Sequence, residues 1–244
     1  MTTTLTTRSG QLLLPGQAAA PEGPVDLTVM WTMHHGFRRD LKNFARAVPA
    51  TPLDDEATWA ALAARWGVFA RILHGHHAAE DAGVWPLLLD RIDASGDPEE
   101  RSTLEAMAAE HGVIDPQLDA CAAGFRRMTV TPGAATRDAL TAQVEAVRSH
   151  LGEHLAHEER DAMALVQRHL THEEWLRLSV EYFEKPLTTG QLLEVAAWVL
   201  HELPGEAVDR MRFEPKVPTL ILGWRLFLRR PFERRERRAF RYAA

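Results

Sequence analysis

The chain has 244 residues, 45% of them hydrophobic and 25% charged, and a formal net charge of −6, the proportions of an ordinary globular protein with a core of its own. Its longest uncharged apolar stretch, around Val217 to Trp224, is far too short to span a bilayer as a helix, and one cysteine, Cys121, excludes both a disulfide framework and a metal site of several thiolates. The unusual feature is twelve histidines in a chain with two tyrosines, because histidine is the commonest metal ligand.

In chain order, residues 1–25 hold one Arg and a run of only three leucines, which does not make a secretory signal. They read as a flexible N-terminal segment, and the location is expected to be cytoplasmic. Residues 26–170 are rich in Ala, Leu, Glu and Arg, with apolar residues recurring at three and four, so four amphipathic helices are predicted near 26–48, 56–92, 99–128 and 136–170. The breaks between them are ValProAlaThrPro at 48–52, AlaSerGlyAspPro at 94–98 and ThrProGly at 131–133. Pro86 and Pro116 predict kinks within helices. Four helices with short connections favour an all-α fold, an antiparallel up-down-up-down four-helix bundle. Residues 171–244 read as a helical C-terminal appendage and not as a fifth bundle helix. Its last 29 residues carry one Lys and eight Arg against two Glu, a net +7 that leaves −13 on the rest.

The histidines fall in a pattern. At 100° per residue, His76 and Glu80 lie on the same stripe as Phe69, Ile72, Leu73 and Leu87. A carboxylate in an apolar interior is costly unless something cationic neutralises it. His74, His77 and Asp81 fall on the other side, and a surface or appendage-facing position is expected for them. The fourth helix repeats the arrangement with His154, Glu158, Val147, Leu151 and Leu165, and places His150 and Asp161 in the same stripe. His34 shares a face with Met30, Leu41 and Val48, and His111 shares one with Leu104, Met107, Leu118 and Phe125. One His-x-x-x-Glu pair on a helix is common. Two such pairs, with a lone inward His on each remaining helix, bring four imidazoles and two carboxylates to one axis. Six N and O ligands without a thiolate suit iron, manganese or zinc, and two carboxylates placed to bridge suggest two ions.

At these residues the sequence resembles the hemerythrin-like, or HHE cation-binding, family of di-iron proteins. The segments that carry the resemblance are MetHisHisGlyPheArgArgAspLeu at 33–41, HisHisAlaAlaGluAspAlaGlyValTrpPro at 76–86, GluHisGlyValIleAspPro at 110–116 and HisLeuAlaHisGluGluArgAspAlaMet at 154–163. The resemblance implies two non-haem irons, with His34 and His76 on one, His111 and His154 on the other, and Glu80 and Glu158 bridging them. It makes His35 a neighbour of the ligand. Oxygen-carrying members place a second His four residues after the first on the third helix; here that position is Asp115. The pattern His, His-x-x-x-Glu, His, His-x-x-x-Glu is that of a bacterial branch with more open metal positions. His150 and Asp115 are candidates for a replacement ligand or for a hydrogen bond to one, whereas Tyr182 and Tyr242 lie outside the predicted bundle.

The expected function is to bind or reduce a small oxidant, dioxygen, hydrogen peroxide or nitric oxide, with peroxide chemistry favoured over oxygen storage because one imidazole is missing. The alternatives are metal-dependent sensing through residues 171–244 and a di-iron oxidase acting on a larger substrate. The basic tail, 216–244, could touch an anionic membrane surface; nucleic acid is the less favoured partner, and packing over a groove of the bundle is the simpler role. His76→Ala or Glu158→Ala is expected to lose metal, while His77→Ala, Glu159→Ala and His35→Ala are expected to keep it.

Overall fold

The structure is a computed structural model that describes residues 10–95, 97–211 and 217–243. Among them every regular element is helical. Helix α1 spans Thr28–Ala50 and α2 spans Glu56–Ala79, started by Asp55, whose carboxylate accepts from the Thr58 N–H at 3.0 Å. A widened turn, Glu80–Val84, joins α2 to α3, Trp85–Ser95. Helix α4 runs from Pro98 to Val130 behind an Asp97 cap, with Pro116 inside it. Helix α5, Ala134–His157, passes through a second widened turn, Glu158–Ala162, into α6, Met163–His169.

Packing follows the apolar stripes: α1 contacts α5 and α2, and α4 contacts α2 and α5. Their shared interior holds Phe37, Phe44, Trp66, Phe69 and Phe125, all fully buried, with Phe44 and Trp66 edge to face at 4.9 Å. The expected break at Pro86 lies just after the turn Glu80–Val84, where the helix widens by one residue.

Both flanking segments pack on the bundle, which corrects the expectation of flexibility for residues 10–25. Residues 10–25 are docked: Leu12, Leu14 and Val25 are buried, and Gln167 on α6 both accepts from the Val25 N–H and donates to its carbonyl. Residues 1–9 lie outside the described residues. The C-terminal region is equally integrated. Capping boxes at Thr171/Glu174 and Thr188/Gln191 start α7, His172–Leu178, and α8, Thr189–Leu200. A wide turn, Ser179–Glu184, follows α7; after α8 come α9, Gly205–Met211, and α10, Val217–Gly223; a last wide turn, Trp224–Leu228, leads into α11, Arg229–Ala239. Helices α8 and α9 pack on α1, and α11 packs on α2.

Glycines permit the closest approaches. A Cβ on Gly36 would stand 2.6 Å from the Trp198 ring, and one on Gly83 would stand 2.4 Å from the Tyr182 ring. A buried ionic network locks the region to the bundle. Asp40 accepts from Arg39, from Arg65 at 2.6 Å and from the Trp198 indole at 2.6 Å, while Arg65 also pairs with Glu236 on α11. The two guanidiniums overcome burial and hold the Asp40 carboxyl below its usual range.

Candidate metal centre

Five imidazoles and two carboxylates converge between α1, α2, α4 and α5. His34, His76, His111 and His154 are buried, as are Glu80 and Glu158 at 0% exposure. They fall into two trios, His34, His76 and Glu158, and His77, His111 and His154, with donor atoms within 4.8 Å of one another in each.

His77 is the first correction. Expected outside, it is 1% exposed and stacks on His111 with ring centroids 4.0 Å apart and planes 8° apart. The reason lies in where α2 sits. It packs against both α1 and α4, so its buried arc is wide enough for two successive residues, His76 toward His34 and His77 toward His111. His74 and Asp81 are not buried, as expected.

Asp115 accepts from His77 Nδ1 at 2.8 Å. It is placed to orient an imidazole from another helix. His150 is exposed and bonded to Gln117, and Asp161 is 51% exposed, so neither reaches the centre; the extra residue in the turn at 158–162 takes Asp161 off the inward stripe.

Four of the five imidazoles have a carboxylate on Nδ1: Glu159 for His34 at 2.9 Å, Asp115 for His77, Asp81 for His111 at 2.9 Å and Glu110 for His154 at 2.7 Å. An ionised carboxylate only accepts, so each of these Nδ1 atoms carries a proton, and a ring that is neutral or metal-bound turns its Nε2 lone pair inward. Glu159 was expected to be dispensable. It is fully buried, and it also accepts two hydrogen bonds from Arg38 and one from the Ala18 N–H at 2.7 Å. His76 is the exception: its Nδ1 has no partner among the described residues and its ring packs on Phe37 at 5.3 Å and Phe183 at 5.8 Å. Phe183 reaches this point from the turn after α7, and the Tyr182 ring from the same turn lies against Gly83, although sequence reading places Tyr182 outside the bundle.

The inward atoms are unsatisfied. Nε2 of all five histidines and both oxygens of Glu80 and Glu158 are buried without a hydrogen bond among the described residues. Each orphaned polar atom costs about 1–3 kcal/mol, so nine in one place make a poor core and a suitable metal cage. Each glutamate also stands between the trios. Glu80 lies 3.1 Å from His76 Nε2 and 3.6 Å from His111 Nε2, and Glu158 lies 3.2 Å from His34 Nε2 and 3.8 Å from His154 Nε2.

Electrostatics agree with a cage suited to cations. Burial pushes His77 down to about 4 and lowers His76 and His111, leaving neutral imidazoles. Burial and the neighbouring Glu158 raise Glu80, so it tends to hold a proton. Against the cost of its own burial, His34 is lifted to about 9 by Glu158 and Glu159. Metal charge would balance the same carboxylates that raise His34 and Glu80.

A family model, the hemerythrin HHE cation binding domain, matches residues 25–166. The chain belongs to the hemerythrin HHE family. The match covers α1 to α5, ends within α6 and stops before the C-terminal region that carries Tyr182, Phe183 and Trp198. Comparisons with curated proteins and with solved structures gave no match. Metal binding by this hemerythrin-type domain is supported both by the family and by the two trios.

Proposed function

We propose that this chain is a non-haem di-iron hemerythrin-like protein that binds or reduces a small oxidant, dioxygen, hydrogen peroxide or nitric oxide, in an antiparallel four-helix bundle. The observation that carries this reading is the set of nine inward atoms left without hydrogen bonds, five imidazole nitrogens from the two trios and the four oxygens of Glu80 and Glu158. His34 and His76 would hold one ion, His77, His111 and His154 the other, and Glu80 and Glu158 would bridge them. A pair of irons bound there would supply two electrons and an open position for a small ligand.

The chain's own residues do the rest. Carboxylates behind four rings fix the tautomer and aim of Nε2. Phe37 and Phe183 wall the His76 side with apolar surface that keeps water out. Arg38 compensates the charge of Glu159, so a buried carboxylate can stay ionised beside His34. With His77 as a ligand from α2, the imidazole missing at Asp115 would no longer be a ground for favouring peroxide over oxygen storage; its burial against His111 supports that role.

The test is metal content per chain in protein purified without a histidine tag. Two irons are expected; zinc alone, or a single ion after anaerobic reconstitution with ferrous iron, would refute the reading. Counting peroxide consumed per site then separates an enzyme from a carrier. Metal-dependent sensing has one observation in its favour, the contact of Phe183 with His76, and predicts that chelation increases proteolysis after residue 170.

A further inference from the structure

The C-terminal helices have one face that the bundle uses and one that it does not. Ile221, Trp224, Phe232, Glu236 and Ala239 are buried, and Phe240 reaches Phe44 with ring centroids 5.0 Å apart, so the tail covers part of the core as its simpler role requires. The outer face is of a different kind. Leu222, Leu226 and Phe227 are 57%, 62% and 73% exposed; Leu222 and Leu226 lie one helical turn apart, and Phe227 widens the apolar face next to Leu226.

Scattered exposed leucines are ordinary, but three large apolar side chains together on one helical segment are not. They lie in a field of arginines. Arg225, Arg230, Arg234 and Arg238 are exposed, and no carboxylate among the described residues pairs with any of them; only Arg229 and Arg237 share Glu233. Charges meant only for solubility would not need apolar residues at their centre.

We propose that this face is a docking surface for an anionic lipid bilayer. Leu222, Leu226 and Phe227 would enter the boundary between headgroups and acyl chains, with the arginines on lipid phosphates around them. Charge complementarity selects this occupant, and the excess negative charge on residues 1–215 would orient the rest of the molecule away from the membrane. The helix lies on the surface and does not cross it, since no described helix is long and apolar enough to do so.

The experiment is cosedimentation of the full-length, metal-loaded protein with phosphatidylcholine vesicles, with and without phosphatidylglycerol. Binding only to the anionic vesicles is expected, with its loss near 1 M salt, where screening leaves a reach of about 3 Å. Arg230→Gln with Arg234→Gln should weaken it by about 25-fold, about fivefold for each arginine. Leu226→Ser with Phe227→Ser should weaken it by at least tenfold while leaving metal content unchanged, because both side chains point outward. Equal binding to neutral vesicles, no binding to either, or unchanged binding by both double variants would overturn the proposal. Tighter capture of duplex DNA than of vesicles, or self-association abolished by the serine variants, would assign the face to another partner and overturn it equally.

Discussion

Substituting His77 by Ala tests the least expected part of the site. The structure separates its effect on stability from its effect on metal. In the metal-free protein the truncation leaves a hole costing about 2–3 kcal/mol, by comparison with large-to-small changes in cores. It also removes an orphaned Nε2 whose burial costs about 1–3 kcal/mol, and Asp115, 35% exposed, recovers water. The two nearly cancel, so Tm of the metal-free variant should fall by no more than about 4 °C. Metal responds differently. Removing residues that merely orient a ligand costs about 10–100-fold in affinity, so loss of an imidazole from the His77, His111 and His154 trio should cost at least about 100-fold, or about 2.7 kcal/mol. Chelator competition with elemental analysis should show one ion lost or weakened while the other remains. Wild-type affinity for both ions would refute the reasoning, as would a fall in metal-free stability large enough to account for the loss.

Glu159→Gln should weaken metal binding by about 10–100-fold, because His34 loses the carboxylate that fixes its tautomer and Arg38 loses its partner; unchanged chelator competition would refute it. His34 sets a pH dependence in the metal-free protein. Its folded value of about 9 lies above the unfolded value near 6.5, so its contribution is complete below 6.5 and is lost as pH rises through 9. Thermal melts of metal-free protein should therefore fall in Tm from pH 7 to 10, and a flat profile would remove His34 from the account. Gly83→Ala forces a Cβ against the Tyr182 ring, an overpacking worth about 1–3 kcal/mol. It should lower Tm by several degrees and speed extraction of metal by chelators; an unaltered Tm would show that the segment carrying Tyr182 and Phe183 moves aside at no cost.

Much was legible in the chain before any coordinates. The all-helical class, the four long helices and the inward set His34, His76, Glu80, His111, His154 and Glu158 follow from a 3.6-residue period and from turn residues at the breaks, both of them local properties of sequence. The structure gathers those six residues and adds His77. Periodicity assigns each helix a single inward stripe, and a residue 100° from its centre is read as exposed. A helix packed between two neighbours has two inward flanks, so His77 and Glu159, each next to a residue already read as inward, are buried as well. The one available signal was adjacency: HisHis at 76–77 and GluGlu at 158–159 place a second polar group beside the first on the same two helices.

The carboxylates behind the rings were beyond such reading. Glu110 and Asp115 come from α4 to serve histidines on α5 and α2, and Asp81 from the turn after α2 serves His111. Only the relative placement of helices decides those pairings. The same holds for His150, which its period places inside and the packing of α5 leaves outside. It holds too for residues 10–25, held by Gln167 and Glu159, and for the C-terminal helices, whose contacts depend on glycines at 36 and 83 and on a buried arginine network rather than on any pattern of their own. Sequence determined which helices form and which faces are apolar, because hydrogen bonding and burial within a helix are local. Tertiary structure decided which donor side chains gather, how each is oriented and what covers them, because those depend on distances between atoms far apart in the chain.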